Sequence, residues 1–223
     1  RAKVTGFTID GKTSKDLDDG IGLFENGQNF LLQVSIADVA EFVRPGMKQF
    51  SNAFSKLETK YFRNGNKPML PRKLSEGSLS LKEGQPTPAI THEIEFDKSF
   101  NIKGFRIYES VFTSEKKFNY FDFDQLVKDN PASTGKFSYK LVFQLAEHLL
   151  QKRINNNELI IYDLIQKIVS NEEGAIIQDE EKANRGYIVV QEFMILTNKL
   201  LAGFMAQNDW PFLFRNHEAK KAA

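Results

Sequence analysis

The sequence of 223 residues contains no cysteine, only one tryptophan and no apolar run that approaches 18 residues. The lack of cysteine excludes disulfides and thiolate metal sites, and it favours a reducing, cytoplasmic setting. Because there is no long apolar run and no signal-like first segment, we expect no membrane partner. With 41% hydrophobic and 26% charged residues, the composition predicts one domain with a substantial core.

Four aspartates stand within ten residues near the start of the chain: Asp10, Asp16, Asp18 and Asp19. Two carboxylates about 4 Å apart repel by about 4 kcal/mol at an effective dielectric constant of about 20. Such a segment therefore either binds a cation or forms an open, solvated turn; the density of carboxylates leaves both interpretations open, and the spacing favours the cation. A cation would be a hard one such as Mg²⁺, which prefers oxygen ligands and often shares them with substrate phosphates. The segment would then serve phosphoryl transfer.

Two other phosphate or metal motifs overlap this segment. Residues 6–13 formally fit the phosphate-binding pattern G-x-x-x-x-G-K-[ST]. That loop requires a strand before its first glycine and a helix at its end, whereas 4–9 reads as one strand and 14–22 is a poor helix. An EF-hand that starts at Asp16 would place Gly20 and Ile21 where an oxygen ligand and the required glycine belong. The context therefore argues against a nucleotide triphosphatase and against a calcium loop.

Charge is distributed unevenly along the chain although the overall net charge is only +1. Residues 60–82 hold six basic side chains and one acidic side chain, a net +5, whereas residues 10–25 carry a net −3. Such a charge distribution is typical of a protein in which one element holds a polyanion and another element cuts it. A solvated basic loop with no ligand explains the same charges.

The apolar periodicity predicts strands first and helices later, which is the pattern of an α+β domain. The predicted strands are 4–9, 20–24, 30–36, 91–96 and 102–112. The predicted helices are 37–43, an amphipathic 47–58, 139–153 and about 179–208.

Several short motifs occur in an order that resembles one family. They are Thr8–Asp10, Lys15–Asp19, Val34–Val39, Tyr61, Pro68–Pro71, Leu74-Ser75, Ser78–Leu81 and Glu192–Asn198. Together they resemble the RNB catalytic domain of the ribonuclease II/R family of 3′→5′ exoribonucleases. The resemblance implies a mixed, largely antiparallel sheet with helices packed around it.

The resemblance also implies an activity, namely Mg²⁺-dependent 3′→5′ hydrolysis of single-stranded RNA to nucleoside 5′-monophosphates. Asp10, Asp16, Asp18 and Asp19 then correspond to the Mg²⁺ ligands, and Asp18 to the carboxylate most closely tied to hydrolysis. No other cofactor is implied.

The RNA contacts implied by the resemblance are aromatic and basic. Tyr61 would hold the 3′-terminal nucleotide, and Tyr120 would stack a base further along the channel. Arg63, Lys67 and Arg72 of the basic loop would help to position the strand. Ordinary core packing is the alternative for both tyrosines. Glu192 and Asn198 either line the channel or satisfy buried backbone groups.

Two departures from the family pattern affect what we expect of the chain. Ser35 stands where the family usually has histidine, and the sequence contains no Ser-Pro dipeptide of the kind that precedes a phosphate-binding arginine in the family. We therefore expect residues 1–223 to be an RNB-like catalytic domain without its C-terminal part and without flanking RNA-binding domains. The remainder of its own polypeptide is then a partner. The alternative is a catalytically impaired homologue that binds RNA, and the sequence leaves the oligomeric state open.

Overall fold

The computed structural model describes residues 1–62, 65–129, 137–158, 166–171, 174–179 and 184–214, with the backbone alone for Tyr61, 166–171 and 174–179. The strands are β1 Ala2–Asp10, β2 Asp19–Asn26, β3 Asn29–Ala37, β4 Lys60–Phe62, β5 Gly65–Lys67, β6 Pro86–Phe96, β7 Ile102–Asn119, β8 Gln166–Asn171 and β9 Gly174–Asp179. The helices are α1 Val39–Phe42, α2 Lys48–Lys56, α3 Tyr120–Asp129, α4 Tyr139–Asn155 and α5 Arg185–Gln207, and a π-helical turn covers Leu74–Ser78.

Five strands form a closed barrel in the order β1-β2-β3-β6-β7. Every neighbouring pair is antiparallel except β1 and β7, which are parallel and close the barrel. Together with the helices, this mixed and largely antiparallel sheet confirms the predicted α+β class.

The barrel closes because β7 is 18 residues long and serves two partners. Its first part pairs with β6, and its last part runs alongside β1 until Asp10 faces Asn119. The predicted strand 102–112 ended too early, because the charged residues that follow break the alternation of apolar and polar side chains. The extension brings the end of β7 to the end of β1, where the acidic segment begins.

Two glycines permit this closure at the points where strands approach each other most closely. A Cβ atom on Gly6 would lie 2.2 Å from the carbonyl oxygen of Ile21. A Cβ atom on Gly20 would lie 2.3 Å from the ring of Phe112. Gly6 lies in the interior of β1, so the phosphate-binding loop considered for residues 6–13 is not formed.

The buried apolar side chains form two clusters. The larger cluster packs α3, α4 and α5 against the barrel and contains a set of aromatic rings around Phe7. The smaller cluster contains Leu17, Leu70, Leu79, Leu81 and Phe112. Leu17 belongs to the acidic segment itself, so that segment is fixed to the second core.

The helical predictions were confirmed for 139–153 and in part for 179–208. The last helix begins at Arg185 and not near Asp179, because Asn184 caps it and accepts a hydrogen bond from the Gly186 amide. Residues up to Asp179 belong to β9, which pairs with β8 in a hairpin that the sequence analysis missed. By length and mean hydropathy α5 could also cross a membrane, but it packs against α3 and α4 within the domain.

The amphipathic helix predicted for 47–58 is present as α2, but its apolar face is only partly covered. Phe50 packs against the smaller core, and its ring stacks on that of Phe54. Phe54 and Leu57 are 70% and 76% exposed. The periodicity therefore predicted the helix correctly, and much of its apolar face is exposed.

His92 on β6 is buried and gives the fold a pH dependence that can be measured. Burial lowers the pKa of His92 from its usual value of 6.5, against a smaller opposite effect of the Val34 backbone. The unfolded chain takes up a proton here as the pH falls through about 6.5, whereas the folded protein keeps the ring neutral to lower pH. This contribution to stability is therefore complete above about pH 6.5 and is lost as the pH falls below it.

We expect His92→Leu to lose less unfolding free energy than the parent when the pH is lowered from about 7.5 to about 5. Urea unfolding at a series of pH values measures this difference. His148→Gln, at a partly exposed position on α4, is the matched control. Equal pH dependence of the His92 variant and the parent would show that His92 titrates alike in both states.

Candidate active site

The acidic segment connects the end of β1 to the start of β2 and begins with a short turn. The Ser14 amide donates to the Gly11 carbonyl at 3.1 Å and closes the turn. Asp10 Oδ1 accepts hydrogen bonds from the Gly11 amide and from Ser14 Oγ. Lys117 Nζ on β7 donates to the Ser14 carbonyl at 2.7 Å. The first aspartate is thus fixed by its own turn, and the turn by the closing strand of the barrel.

The second half of the acidic segment is held by neighbouring backbone. Leu17 is buried, whereas Asp16 and Asp18 on either side of it are exposed. The Asp18 carbonyl accepts a hydrogen bond from the Ala37 amide at 2.9 Å. Because alternate residues point in opposite directions in an extended chain, burial of Leu17 presents both carboxylates on one side.

The carboxylates of this segment influence one another strongly. Burial raises the pKa of Asp19 to about 7, and the charges of Asp18 and Asp10 add to the shift. The pKa of Asp18 is also raised, by the local loss of solvent and then by Asp10 and Asp16. The structure therefore brings all four predicted aspartates within electrostatic reach of one another.

A divalent cation fits this segment by its donor chemistry and by one orphaned atom. Asp19 Oδ2 is buried and has no hydrogen-bond partner among the described residues. A buried carboxylate oxygen without a donor is costly, and a cation would offset that cost. In the described part of the chain, however, no three Asp, Glu or His side chains converge closely enough to hold a metal ion. The four-aspartate metal site therefore stays a prediction, to which the structure adds proximity and an unsatisfied ligand atom.

Tyr120 lies beside the aspartates at the first turn of α3. Burial raises its pKa above the usual value, and the charges of Asp10 and Asp19 contribute to the shift. Its ring stacks on Tyr187 of α5, with ring centroids 3.8 Å apart and planes inclined by 13°. Tyr120 also packs against the larger core cluster, so core packing describes part of its surroundings, and the stacking of a base stays a prediction.

The sequence analysis missed Tyr187 as a site residue. One local feature of the sequence marks the position of Tyr187, namely Gly186, the residue before it. A Cβ atom at Gly186 would lie 3.2 Å from the Cα atom of Tyr120. Only a very small residue at position 186 allows α5 to approach α3 this closely. The partner of Tyr187 lies 67 positions earlier in the chain, so the sequence alone did not reveal the pair.

A buried carboxylate fixes α3 against the start of α5. Asp124 Oδ1 accepts hydrogen bonds from the Arg185 amide at 3.1 Å and from Arg185 Nη1 at 3.0 Å. Lys128 Nζ lies 2.6 Å from Asp124 Oδ2. Burial would raise the pKa of Asp124, but Lys128 and Arg185 hold it below its usual value. These contacts hold α3 against the start of α5, and these two helices carry Tyr120 and Tyr187.

The basic loop forms the small hairpin of β4 and β5, followed by the π-helical turn. Tyr61 pairs with Asn66 through the backbone, and its side chain lies outside the described part of the structure, as does all of Arg63. Lys67 Nζ lies 5.7 Å from the centroid of the exposed Phe62 ring. Arg72 forms an ion pair with Glu76 and a hydrogen bond to the Asn66 side chain. Both partners of Arg72 lie within the basic loop, and the Glu76 carboxylate offsets the positive charge of the guanidinium.

Glu192, for which two roles were open, is a buried member of an ion pair. It is 1% exposed, and its Oε1 accepts a hydrogen bond from Arg153 Nη1 of α4 at 2.6 Å. The pair joins α4 to α5 in the interior of the domain. This contact with Arg153 was not among the two roles considered from the sequence, and both of those stay predictions. Ser35 is likewise buried, with its hydroxyl 2.8 Å from that of Thr91.

Comparison with known proteins places this architecture in one family. The profile of the RNB domain matches residues 2–223. Ribonuclease R of Thermotoga maritima is 32% identical in an alignment of 222 residues that covers 95% of this chain and 31% of that protein. The structure of Mycoplasma genitalium RNase R in complex with ribose methylated single-stranded RNA matches with a TM-score of 0.82 at 25% identity. That match covers 93% of this chain and 33% of the other.

A more distant likeness concerns the fold alone. Yeast Ssd1, described as a pseudonuclease, matches with a TM-score of 0.72 at 15% identity over 92% of this chain and 26% of its own. In all three comparisons the chain spans about a third of the relative's length or less.

Proposed function

The chain belongs to the RNB domain family, and we propose that it acts as a Mg²⁺-dependent 3′→5′ exoribonuclease on single-stranded RNA, releasing nucleoside 5′-monophosphates. One observation carries the proposal. The acidic segment between β1 and β2, with its orphaned Asp19 oxygen, lies next to the stacked pair of Tyr120 and Tyr187. A phosphate-cleaving centre and a platform for a base are thus adjacent. The absence of cysteine supports a cytoplasmic location.

Asp10, Asp16, Asp18 and Asp19 would hold the metal. When bound, Mg²⁺ makes an attacking hydroxide available and offsets the charge that develops on the scissile phosphate. Asp18 is the carboxylate assigned to the hydrolytic step, and its exposure leaves it accessible to the substrate. Asp19, which is more buried, is suited to a ligating role because its buried Oδ2 has no hydrogen-bond partner among the described residues.

The aromatic pair and the basic loop would position the RNA. Tyr187 covers one face of Tyr120 and fixes its plane, so that Tyr120 would stack a base of any identity. Tyr61, Arg63, Lys67 and Arg72 would hold the strand near its 3′ end. Since Arg72 is already paired with Glu76, a phosphate would have to compete for it. Contacts of this kind make RNA affinity fall with rising salt concentration.

An oligoribonucleotide labelled at its 5′ end tests the proposed activity. In the presence of Mg²⁺ we expect a ladder of products that shortens from the 3′ end, and nucleoside 5′-monophosphate as the released product. Addition of EDTA should abolish the ladder. Products that arise by internal cleavage, or degradation that persists in EDTA, would contradict the proposal.

A second candidate function is RNA binding without turnover. The observation in its favour is the fold that the chain shares with Ssd1, described as a pseudonuclease, because it shows that this fold does not by itself ensure cleavage. All four aspartates are present here, which favours hydrolysis. Tight binding of an oligoribonucleotide that remains intact in Mg²⁺ would support the second candidate instead.

Replacement of the Tyr120 ring tests RNA binding separately from RNA hydrolysis. We expect Tyr120→Leu to raise the dissociation constant for a short oligoribonucleotide by about 5- to 150-fold, because one base–aromatic stack is worth about 1–3 kcal/mol. Fluorescence anisotropy in EDTA measures the change without hydrolysis. Phe121→Leu is the control, since Phe121 is the next residue of α3 and is 62% exposed. Equal affinity of Tyr120→Leu and the parent would assign Tyr120 to packing.

A further inference from the structure

Ser80 lies just beyond the π-helical turn, at the end of the basic loop, and its side chain points away from solvent. The residue is 0% exposed. Its Oγ donates a hydrogen bond to the Lys15 carbonyl at 2.7 Å and accepts one from the Leu17 amide at 3.2 Å. A single hydroxyl therefore binds the backbone immediately before and immediately after Asp16.

The backbone of the next residue extends this attachment. The Leu81 amide donates to the Leu17 carbonyl at 2.8 Å. Leu17 itself is 4% exposed and belongs to the same apolar cluster as Leu79 and Leu81. Residues 15–17 are thus bound through three hydrogen bonds and one buried side chain to the end of the basic loop. The exposed carboxylates of Asp16 and Asp18 lie on either side of the attached residue.

The hydrogen bonds of Ser80 and Leu81 hold a part of the backbone that belongs to no strand. Residues 11–18 lie between β1 and β2, outside both strands, so no regular strand pairing fixes the backbone around Asp16. Loss of the hydroxyl would leave the Lys15 carbonyl and the Leu17 amide without this partner and would free the peptide units that flank Asp16. Carboxylates that must converge on one ion need fixed backbone positions, because small displacements weaken binding and catalysis.

We propose that Ser80 is a positioning residue for the metal-binding aspartates. This inference rests on the proposed function and goes beyond it, since it assigns a role to a buried residue that is not among the proposed metal ligands or RNA contacts. Through its hydroxyl, the loop that would hold the RNA strand sets the geometry of Asp16 and Asp18. Without the hydrogen bonds of the Ser80 hydroxyl, the acidic segment binds the ion less tightly while the barrel stays folded.

The experiment compares Ser80→Ala with Ser110→Ala in the 223-residue chain. Ser110 is also 0% exposed, and its hydroxyl is bonded to Thr91 and to the Ala89 carbonyl within the barrel. Both variants remove one buried hydroxyl, but only Ser80 touches the acidic segment. Ser80→Cys, which fills the same position with a slightly larger thiol that forms weaker hydrogen bonds, gives the same comparison should the alanine variant fail to fold.

Two readouts are required, the dissociation constant for Mg²⁺ by calorimetry and the midpoint of thermal unfolding in EDTA. We expect Ser80→Ala to raise the Mg²⁺ dissociation constant by about tenfold, whereas Ser110→Ala leaves it within about twofold. The unfolding midpoints of the two variants should fall by similar amounts. In single-turnover assays, saturating Mg²⁺ should restore most of the rate of Ser80→Ala.

The outcomes separate the two proposals. If the parent binds Mg²⁺ and hydrolyses RNA but Ser80→Ala binds Mg²⁺ equally well, the positioning role is wrong and the proposed function stands. An equal loss of Mg²⁺ affinity in both serine variants would also overturn it, since the effect would then be one of general stability. If the parent neither binds Mg²⁺ nor hydrolyses RNA, both proposals fail together.

Discussion

Asp18→Asn should lower the rate of hydrolysis of labelled single-stranded RNA by at least about 10²-fold and leave RNA affinity nearly unchanged. The substitution keeps the size of the side chain and removes its negative charge. Asp18 is exposed next to buried Leu17, so no core packing is lost. Its pKa is raised by the local loss of solvent and by Asp10 and Asp16, so removal of the charge should relieve repulsion and not destabilise the fold.

Glu25→Gln provides the matched control for this variant. Glu25 is exposed near the far end of β2, the strand whose first residue is Asp19. It carries the same charge change away from the acidic turn, and its rate should equal that of the parent. Single-turnover rates at saturating enzyme, with affinity measured in EDTA, distinguish chemistry from binding. An Asp18→Asn variant with the rate of the parent would remove Asp18 from the mechanism.

Arg153→Met is expected to lower the free energy of unfolding by about 3 kcal/mol, the largest stability effect that we predict for an ion pair here. Arg153 is 14% exposed and Glu192 is 1% exposed at the α4–α5 contact. Removal of the guanidinium takes a hydrogen-bonded cation away from the buried Glu192 carboxylate. The cost is mostly that of the remaining buried charge, and not the net worth of the pair.

The double variant Arg153→Met with Glu192→Leu tests that explanation. We expect it to regain much of the lost stability, because two apolar side chains of similar size replace the pair. Arg44→Met is the control, since Arg44 and Glu41 form an exposed pair 3.6 Å apart, and its loss should cost less than about 1 kcal/mol. Urea unfolding provides all four values. A double variant as unstable as Arg153→Met would indicate that Glu192 stabilises the helices by another route.

The sequence predicted those parts of the fold that depend on local patterns. Alternation of apolar and polar residues located β2 and β3, with a turn at Gly27 that adopts a left-handed conformation, φ +62°. The density of aspartates within ten residues located the acidic segment. Each of these signals lies within about ten residues of the feature it predicts.

Features that depend on distant contacts were not predicted. The closure of the barrel requires the last part of β7 to lie beside β1, more than 100 positions earlier in the chain. Tyr187 gains its place only when α5 packs against α3, and Ser80 only when the basic loop reaches the acidic turn. No local periodicity encodes such pairings, since they arise from packing between elements far apart in sequence.

The most direct test of the central claim is a crystal structure of the chain grown with Mn²⁺ in place of Mg²⁺, with anomalous diffraction to locate the ion. The proposed mechanism predicts an anomalous peak between Asp10, Asp16, Asp18 and Asp19, with Asp19 Oδ2 among the ligands. Absence of a peak at saturating Mn²⁺, with these side chains directed apart into solvent, would contradict it.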